Sequence, residues 1–207
     1  MNTIDKEYFW KHNHADNSFD YLHKTIKYIL LKKIKNKNEL LDIGCGNGYL
    51  TKKLSAQFNK VTAIDNSQTA IIQAKKNYNG KIKFLKTNIH DFSNNHKIDC
   101  ITAIEVIEHL YSPDDFLKKI YDLSDKNTKI IISTPYHGFF KNLLILLTGN
   151  FENHFSPLWE HGHIKFFSKE SLQKLTFRNK FKIVETFFSG RFYPISKSII
   201  IVLEKIT

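Results

Sequence analysis

Arginine is nearly missing from this chain. Of its 31 basic residues only Arg178 and Arg191 are arginine, although the formal charge reaches +11. Phosphate and base recognition draw on the bidentate guanidinium fork, so a nucleic-acid partner is disfavoured despite the charge. Abundant lysine, asparagine and isoleucine is what an AT-rich genome encodes, and the charge is assigned to that source rather than to an acidic partner. Cysteine is scarce too. Cys45 and Cys100, in strand or turn positions, do not make a disulfide framework, and a reducing cytoplasm is expected. No apolar run approaches the ~18 residues of a membrane span; LLILL at 143–147 and IIIVL at 199–203 are core-sized. That leaves at most a peripheral membrane contact. The start, MNTIDKEYFWKHNHADN, lacks the basic-then-apolar pattern of a secretory signal. No repeat or low-complexity tract divides the 207 residues, so a single domain over 1–207 is expected.

What is present is an alternation of strand and helix patterns. SFDYLHKTIKYILLKKIK spaces Phe19, Leu22, Ile26, Ile29 and Leu30 as one helical face, a cap within residues 1–37. ELLDI, KVTAID, IKFLKTN, IDCITAI and KIIISTP read as five strands separated by helix-length segments, hence right-handed crossovers and a parallel sheet. Ser67 is a plausible N-cap, and Ser112 with Pro113 and two acids behind it is a strong helix start. After a helix at 168–180, FKIVETFF and SKSIIIVLEK have only a short connection and must pair as an antiparallel hairpin. The expected fold is α/β: a Rossmann-like, doubly wound sheet of seven strands, parallel except for that hairpin. Residues 136–163 are too long for an ordinary connection and read as a lid insertion rich in Phe, Leu and Trp.

LLDIGCGNGYL places Gly44, Gly46 and Gly48 between a strand and a helix, where backbone can approach a ligand and amides can face it. Asp65, 21 residues after Gly44, ends the next strand, where an acid grips ribose hydroxyls. The third glycine comes too early for the dinucleotide fingerprint, and no P-loop lysine follows. The stretch resembles motif I of class I S-adenosylmethionine-dependent methyltransferases, an acid followed by G-x-G-x-G. That resemblance implies S-adenosyl-L-methionine as cofactor. It implies Asp42, Gly44, Cys45, Gly46 and Gly48 along its methionine part and Asp65 on the ribose. Asn88 and Ile89 would stand near adenine, and Ile104 would touch the cofactor through its backbone.

EVIEHLYSPDD follows the fourth strand. Read as a helical turn, Glu105, Glu108 and His109 stand at i, i+3 and i+4 and project from one face. Two close carboxylates repel unless a proton or a cation joins them. The stretch resembles the ubiquinone-biosynthesis O-methyltransferases, and its E-x-x-E-H occurs also in small-RNA 2′-O-methyltransferases. Both resemblances imply a divalent metal on Glu105, Glu108, His109 and one further histidine, here His161 or His163 of WEHGH. Oxygen ligands with an imidazole suit magnesium, manganese or zinc. Without a metal, His109 becomes a plain general base oriented by Glu108, and the blandest reading is a solvated helix face.

The resulting expectation is an O-methyltransferase acting on a small phenolic or quinone-like acceptor. A sugar or lipid hydroxyl, an RNA 2′-hydroxyl, and a cofactor-binding regulatory subunit are the alternatives. Phe139, Phe140, Leu143, Leu144 and Trp159 of the lid are expected to cover the acceptor. Tyr8, Trp10 and the first helix are expected to close the cofactor's other side, with Lys24 or Lys27 facing it.

Overall fold

The computed structural model describes residues 19–78, 80–160 and 162–206. Tyr8, Trp10 and His161 lie outside the described residues. Seven strands make one sheet: β1 (Glu39–Ile43), β2 (Lys60–Asp65), β3 (Ile82–Lys86), β4 (Cys100–Ile104), β5 (Lys129–Pro135), β6 (Phe181–Ser189) and β7 (Ser198–Lys205). Their order is β3-β2-β1-β4-β5-β7-β6. β1 to β5 run parallel, and β7 runs antiparallel to both β5 and β6. The expected sheet is therefore present. The reversed strand sits one place in from the edge, because the helix before β6 carries the chain past the gap that β7 then fills.

Both faces of this sheet are covered. α1 (Asp20–Lys33), α2 (Tyr49–Ser55) and α3 (Gln68–Asn77) pack one side; α4 (Pro113–Leu123) and α7 (Lys169–Arg178) pack the other. Strand side chains alternate between the two cores: Leu40, Cys100, Ile131 and Ile200 join Ile26 and Leu54, while Leu41, Ile101, Ile130 and Ile201 join Phe116 and Leu172. A strand buried on both faces must be apolar at successive positions, and all five residues of β1 are buried. The helix starts behave as their sequences require. Ser67 Oγ accepts the Ala70 N–H at 3.2 Å, and Ser112 Oγ accepts that of Asp115 at 3.3 Å. α5 (Phe139–Leu147) and α6 (Phe151–Phe155) follow β5.

From β1 the chain moves outward to β2 and β3, then returns to β4 on the other side of β1. Connections leave the carboxyl ends of β1 and β4 in opposite directions, which opens a crevice there. The opposite end is sewn shut. Buried Asp99 accepts the N–H groups of Asn38 and Glu39 at 2.9 and 3.1 Å, and its carbonyl accepts that of Lys129 at 3.1 Å. Removing the Asp99 carboxylate leaves two amides at the head of β1 without partners. Asp99→Ala is expected to cost ~2 kcal/mol, read as a lower urea midpoint with an unchanged slope.

Candidate active site

The glycine turn after β1 is built by close packing. A Cβ on Gly44, which has φ +71°, would stand 2.4 Å from Val106 Cγ2, so only glycine lets the turn lie against the segment after β4. The N–H groups of Gly44 and Cys45 both reach the Ile64 carbonyl, at 2.8 and 3.1 Å. That of Gly46 reaches Asp65 Oδ2 at 2.8 Å. These amides are bonded within the fold, which corrects the expectation that the turn holds them out to a ligand. What it offers is nearness of the backbone.

A cavity of about 80 Å³ opens beside the turn, lined by Phe19, Asp42, Gly44, Cys45, Gly46, Asn47, Tyr49, Leu50, Ile104 and Glu105. Gly48 and Asp65 stand just behind this lining; Asn88 and Ile89 follow β3 and do not border it. Asp42 is buried and accepts the hydroxyls of Thr51 and Thr102 at 2.5 and 2.6 Å. Burial pushes its carboxyl up to about 6 against the pull of those hydrogen bonds. Asp65 accepts the Ser67 N–H as well, at 2.8 Å, and so ties the turn to the start of α3. Over the cavity, Asp20 at the head of α1 accepts the Tyr49 hydroxyl at 2.9 Å and the Lys53 ammonium at 2.5 Å. Lys24 and Lys27 are exposed, and neither lines the cavity.

The EVIEH stretch departs from its expected shape. Only Ile107–His109 is helical, as a single 3₁₀ turn, and Glu105 precedes it at φ +54°. Glu105 is therefore turned away from the other two: its Oε1 accepts the Ser133 hydroxyl at 2.7 Å and its side chain borders the cavity. It is not part of the cluster that can hold an ion. Among the described residues that cluster is Glu108, His109 and His163, whose ligand atoms lie within 4.8 Å of one another. Both imidazole Nε2 atoms stand 4.0 Å from Glu108 Oε1. The Glu108 carbonyl draws His163 in, accepting the N–H groups of Ile164 and Lys165 at 2.9 and 3.0 Å.

Glu108 is fully buried, and among the described residues neither carboxylate oxygen has a hydrogen-bond partner. Burial first and the negative Glu105 second hold its pKa well above the usual range. Burial likewise lifts Glu105 to about 7. His163 is pushed down to about 4 by burial, then by the charges of His109, His154 and Lys141, so it is neutral at pH 7. His109 Nδ1 lies 3.3 Å from the Gly162 carbonyl, which can only accept, so Nδ1 carries a proton and, in the neutral ring, Nε2 presents a lone pair toward Glu108. Trp159 stands edge-on to both imidazoles, at 6.1 and 5.5 Å between ring centres. An orphaned carboxylate facing two basic imidazole nitrogens is a donor set that fits a divalent ion.

Two features were missed in the sequence. Ser133, a polar residue in the apolar run IIISTP, holds Glu105, and Tyr21, whose hydroxyl meets Ser198 Oγ at 2.8 Å, lies close enough to feel the charges of Glu105 and Glu108. The lid also differs from expectation. Phe139 and Phe140 are 73% and 62% exposed, and Leu143, Leu144 and Trp159 are exposed as well. The residue that α5 buries is Lys141.

A doubly wound sheet with its last-paired strand reversed, a glycine turn at the switch point and an acid ending β2 define a methyltransferase domain. The chain belongs to that family: the methyltransferase domain model matches residues 10–186, and the protein is an S-adenosylmethionine-dependent methyltransferase. It is 30% identical to the ubiquinone biosynthesis O-methyltransferase of Rickettsia typhi over 206 residues, covering 89% of this chain and 83% of that protein. The mitochondrial enzyme of the same name from Schizosaccharomyces pombe is 29% identical over 140 residues, 65% of this chain and 51% of that protein. Among solved structures, magnesium protoporphyrin IX methyltransferase from Synechocystis with bound S-adenosylhomocysteine superposes with a TM-score of 0.67 at 17% identity, over 89% and 83% of the two chains. The N-methyltransferase NodS from Bradyrhizobium japonicum, with the same ligand, gives 0.66 at 18%, over 93% and 90%.

The unpartnered Glu108 carboxylate generates a prediction independent of turnover. Its pKa is raised in the folded state, so the folded protein holds its proton more tightly than the unfolded chain, and ionisation at higher pH destabilises it. Glu108→Gln is expected to stabilise the fold by about 1–3 kcal/mol at pH 8. The gain should fade as pH falls toward the ordinary carboxylate value and the wild-type group takes up its proton. Thermal unfolding from pH 5 to pH 8 reads this; equal effects at both ends would mean that the carboxylate is compensated.

Proposed function

We propose that this chain moves the methyl group of S-adenosylmethionine to a hydroxyl oxygen of a small phenolic or quinone-like acceptor bound above the carboxyl ends of β4 and β5. One observation carries the reading: a single five-residue segment borders the cavity with Glu105 and, four residues on, presents His109 with Glu108. The names of the relatives support it. On this reading Asp42, Gly44, Cys45, Gly46, Gly48 and Ile104 surround the methionine end of the donor. Asp65 takes the ribose, and Asn88 and Ile89 flank the adenine. A cavity of about 80 Å³ is far below the ~300–1,000 Å³ of small-molecule sites, so donor entry displaces the Phe19 and Tyr49 side chains. α1 acts as a cap on the donor side of a single domain, and α5 with α6 forms a wall on the acceptor side. The apolar outer face of that wall supports peripheral contact with a membrane from the cytoplasm, where an apolar acceptor would reside.

Bound S-adenosylmethionine supplies a methyl group made electrophilic by its sulfonium. The tasks left to the chain are alignment, proton removal and exclusion of water. His109 is oriented by its Nδ1–H bond to Gly162, so Nε2 takes the proton from the acceptor hydroxyl, and Glu108 stabilises the imidazolium that results only in its ionised form. A divalent ion, held by Glu108, His109 and His163, would instead lower the hydroxyl pKa directly; two imidazoles and one carboxylate suit manganese or zinc better than magnesium. The two routes compete for the same nitrogen.

Production of S-adenosylhomocysteine with catechol as acceptor tests the reading. His109→Ala is expected to lower kcat by about 10²-fold or more, with S-adenosylhomocysteine affinity retained. Asp65→Ala should weaken that affinity at least ~10-fold in calorimetry. Activity that falls with EDTA and returns with Mn²⁺ or Zn²⁺ selects the metal route, and indifference to chelator selects the histidine base. Turnover by nitrogen nucleophiles but by no hydroxyl would overturn O-methylation.

A further inference from the structure

Lys141 is the only residue that α5 buries, at 8% exposure, while the phenylalanines and leucines around it face outward. Among the described residues its ammonium makes one hydrogen bond, to the Lys197 carbonyl at 3.2 Å. An ammonium has three donors. Among the described residues no carboxylate comes within ion-pairing distance of it. Lys197 precedes β7, whose Ser198 pairs with Pro135 at the carboxyl end of β5. The ammonium thus stands over the sheet edge that carries Glu105, one strand away from β4.

The surroundings do not neutralise it. Glu105 attracts Lys141 but is already bound to Ser133, and Arg191 repels it. Burial first and the positive charge of Lys141 after it hold the imidazoles of His137 and His154 toward their neutral forms. A cation withdrawn from water without an anion is costly to keep. The strand order puts Lys197, and Lys141 bonded to it, beyond β5, whereas the donor cavity lies at the ends of β1 and β4; on the proposed reading that is the acceptor side of Glu105.

We propose that Lys141 is the specificity-determining residue of the acceptor site: the acceptor carries an anionic oxygen on the same ring as its reacting hydroxyl, and that oxygen docks on the N–H donors of Lys141 that no described residue takes up. Arg191, at the exposed rim, adds to the field that draws it in. A ring carboxylate and an ionised neighbouring hydroxyl present the same chemistry to the ammonium. The inference rests on the O-methylation reading for the identity of the reacting group, and on the geometry of α5 for the charge.

Calorimetry on protein saturated with S-adenosylhomocysteine tests it without turnover. Four probes are titrated: 3,4-dihydroxybenzoate, its methyl ester, 4-nitrocatechol (ionised near neutral pH) and catechol. The wild type is expected to bind a charged probe at least ~10-fold more tightly than its neutral counterpart, and which charged probe gains separates carboxylate from ionised hydroxyl. Lys141→Met should erase the preference while leaving neutral-probe and S-adenosylhomocysteine affinities within about twofold; Lys141→Arg should keep part of it. A wild type without charge preference overturns the proposal, as does a Lys141→Met variant that keeps the preference or weakens all four probes alike. Methyl transfer to catechol is followed in parallel. Its absence counts against the O-methylation reading alone, because the binding comparison does not depend on it.

Discussion

The seam between β1 and β4 bears everything above it. Asp42 in β1 accepts one hydroxyl from Thr51 in α2 and one from Thr102 in β4, so a single buried carboxylate joins three elements at the switch point. Two short hydroxyl bonds only partly offset its burial, which is why its pKa still rises to about 6. Above Asp42, the absent side chain of Gly44 lets Val106 press against the turn. That contact fixes the distance between the cavity and the Glu108 cluster. Each side chain is small, but an added methyl at Gly44 would push apart the two halves of the site.

Charge in this site is arranged by burial more than by pairing. Glu105 and Glu108 both lie where burial disfavours their ionised forms, and the charge of Glu105 raises the cost further for Glu108. His163, beside Glu108, is held neutral by its burial. A site with two reluctant carboxylates, neutral imidazoles and one buried ammonium is poised to change protonation when a cation or a polar ligand arrives. Such poise accompanies catalytic work more often than structural support.

Much of the frame could be read from the sequence, and the reasons are local. Apolar runs of five residues between helix-length segments leave few topologies, and Ser112-Pro113 or Ser67 mark helix starts through bonds made within three residues. The histidine pattern was legible as chemistry but not as geometry. A helical reading of EVIEH places Glu105 with its neighbours, whereas the backbone takes a positive φ there because Ser133 in β5, 28 residues away, accepts responsibility for its amide and its carboxylate. Spacing could not choose between His161 and His163; His161 lies outside the described residues, and among those described His163 joins the cluster because the Glu108 carbonyl bonds the backbone just after it. Lys141 had a signal, a lone charge in FFKNLLILL. Periodicity assigns such a residue to the wet side of a helix, and here it lies on the dry one.

That inversion follows from how α5 is held. An amphipathic helix is ordinarily fixed by its apolar stripe, yet this one gains little burial from its leucines. Its anchors are at its root. The His137 N–H donates to the Phe167 carbonyl, the His137 ring stacks on Phe155, and Lys141 reaches across to Lys197. Because those bonds are polar and near the sheet, they constrain where the helix starts and not what its outer face carries. The outer face can then be apolar for an external surface while the inner face contributes a charge to the site. A helix fastened in this way owes little to its leucines, and substitutions along Leu143–Leu147 should leave the sheet beneath unaffected.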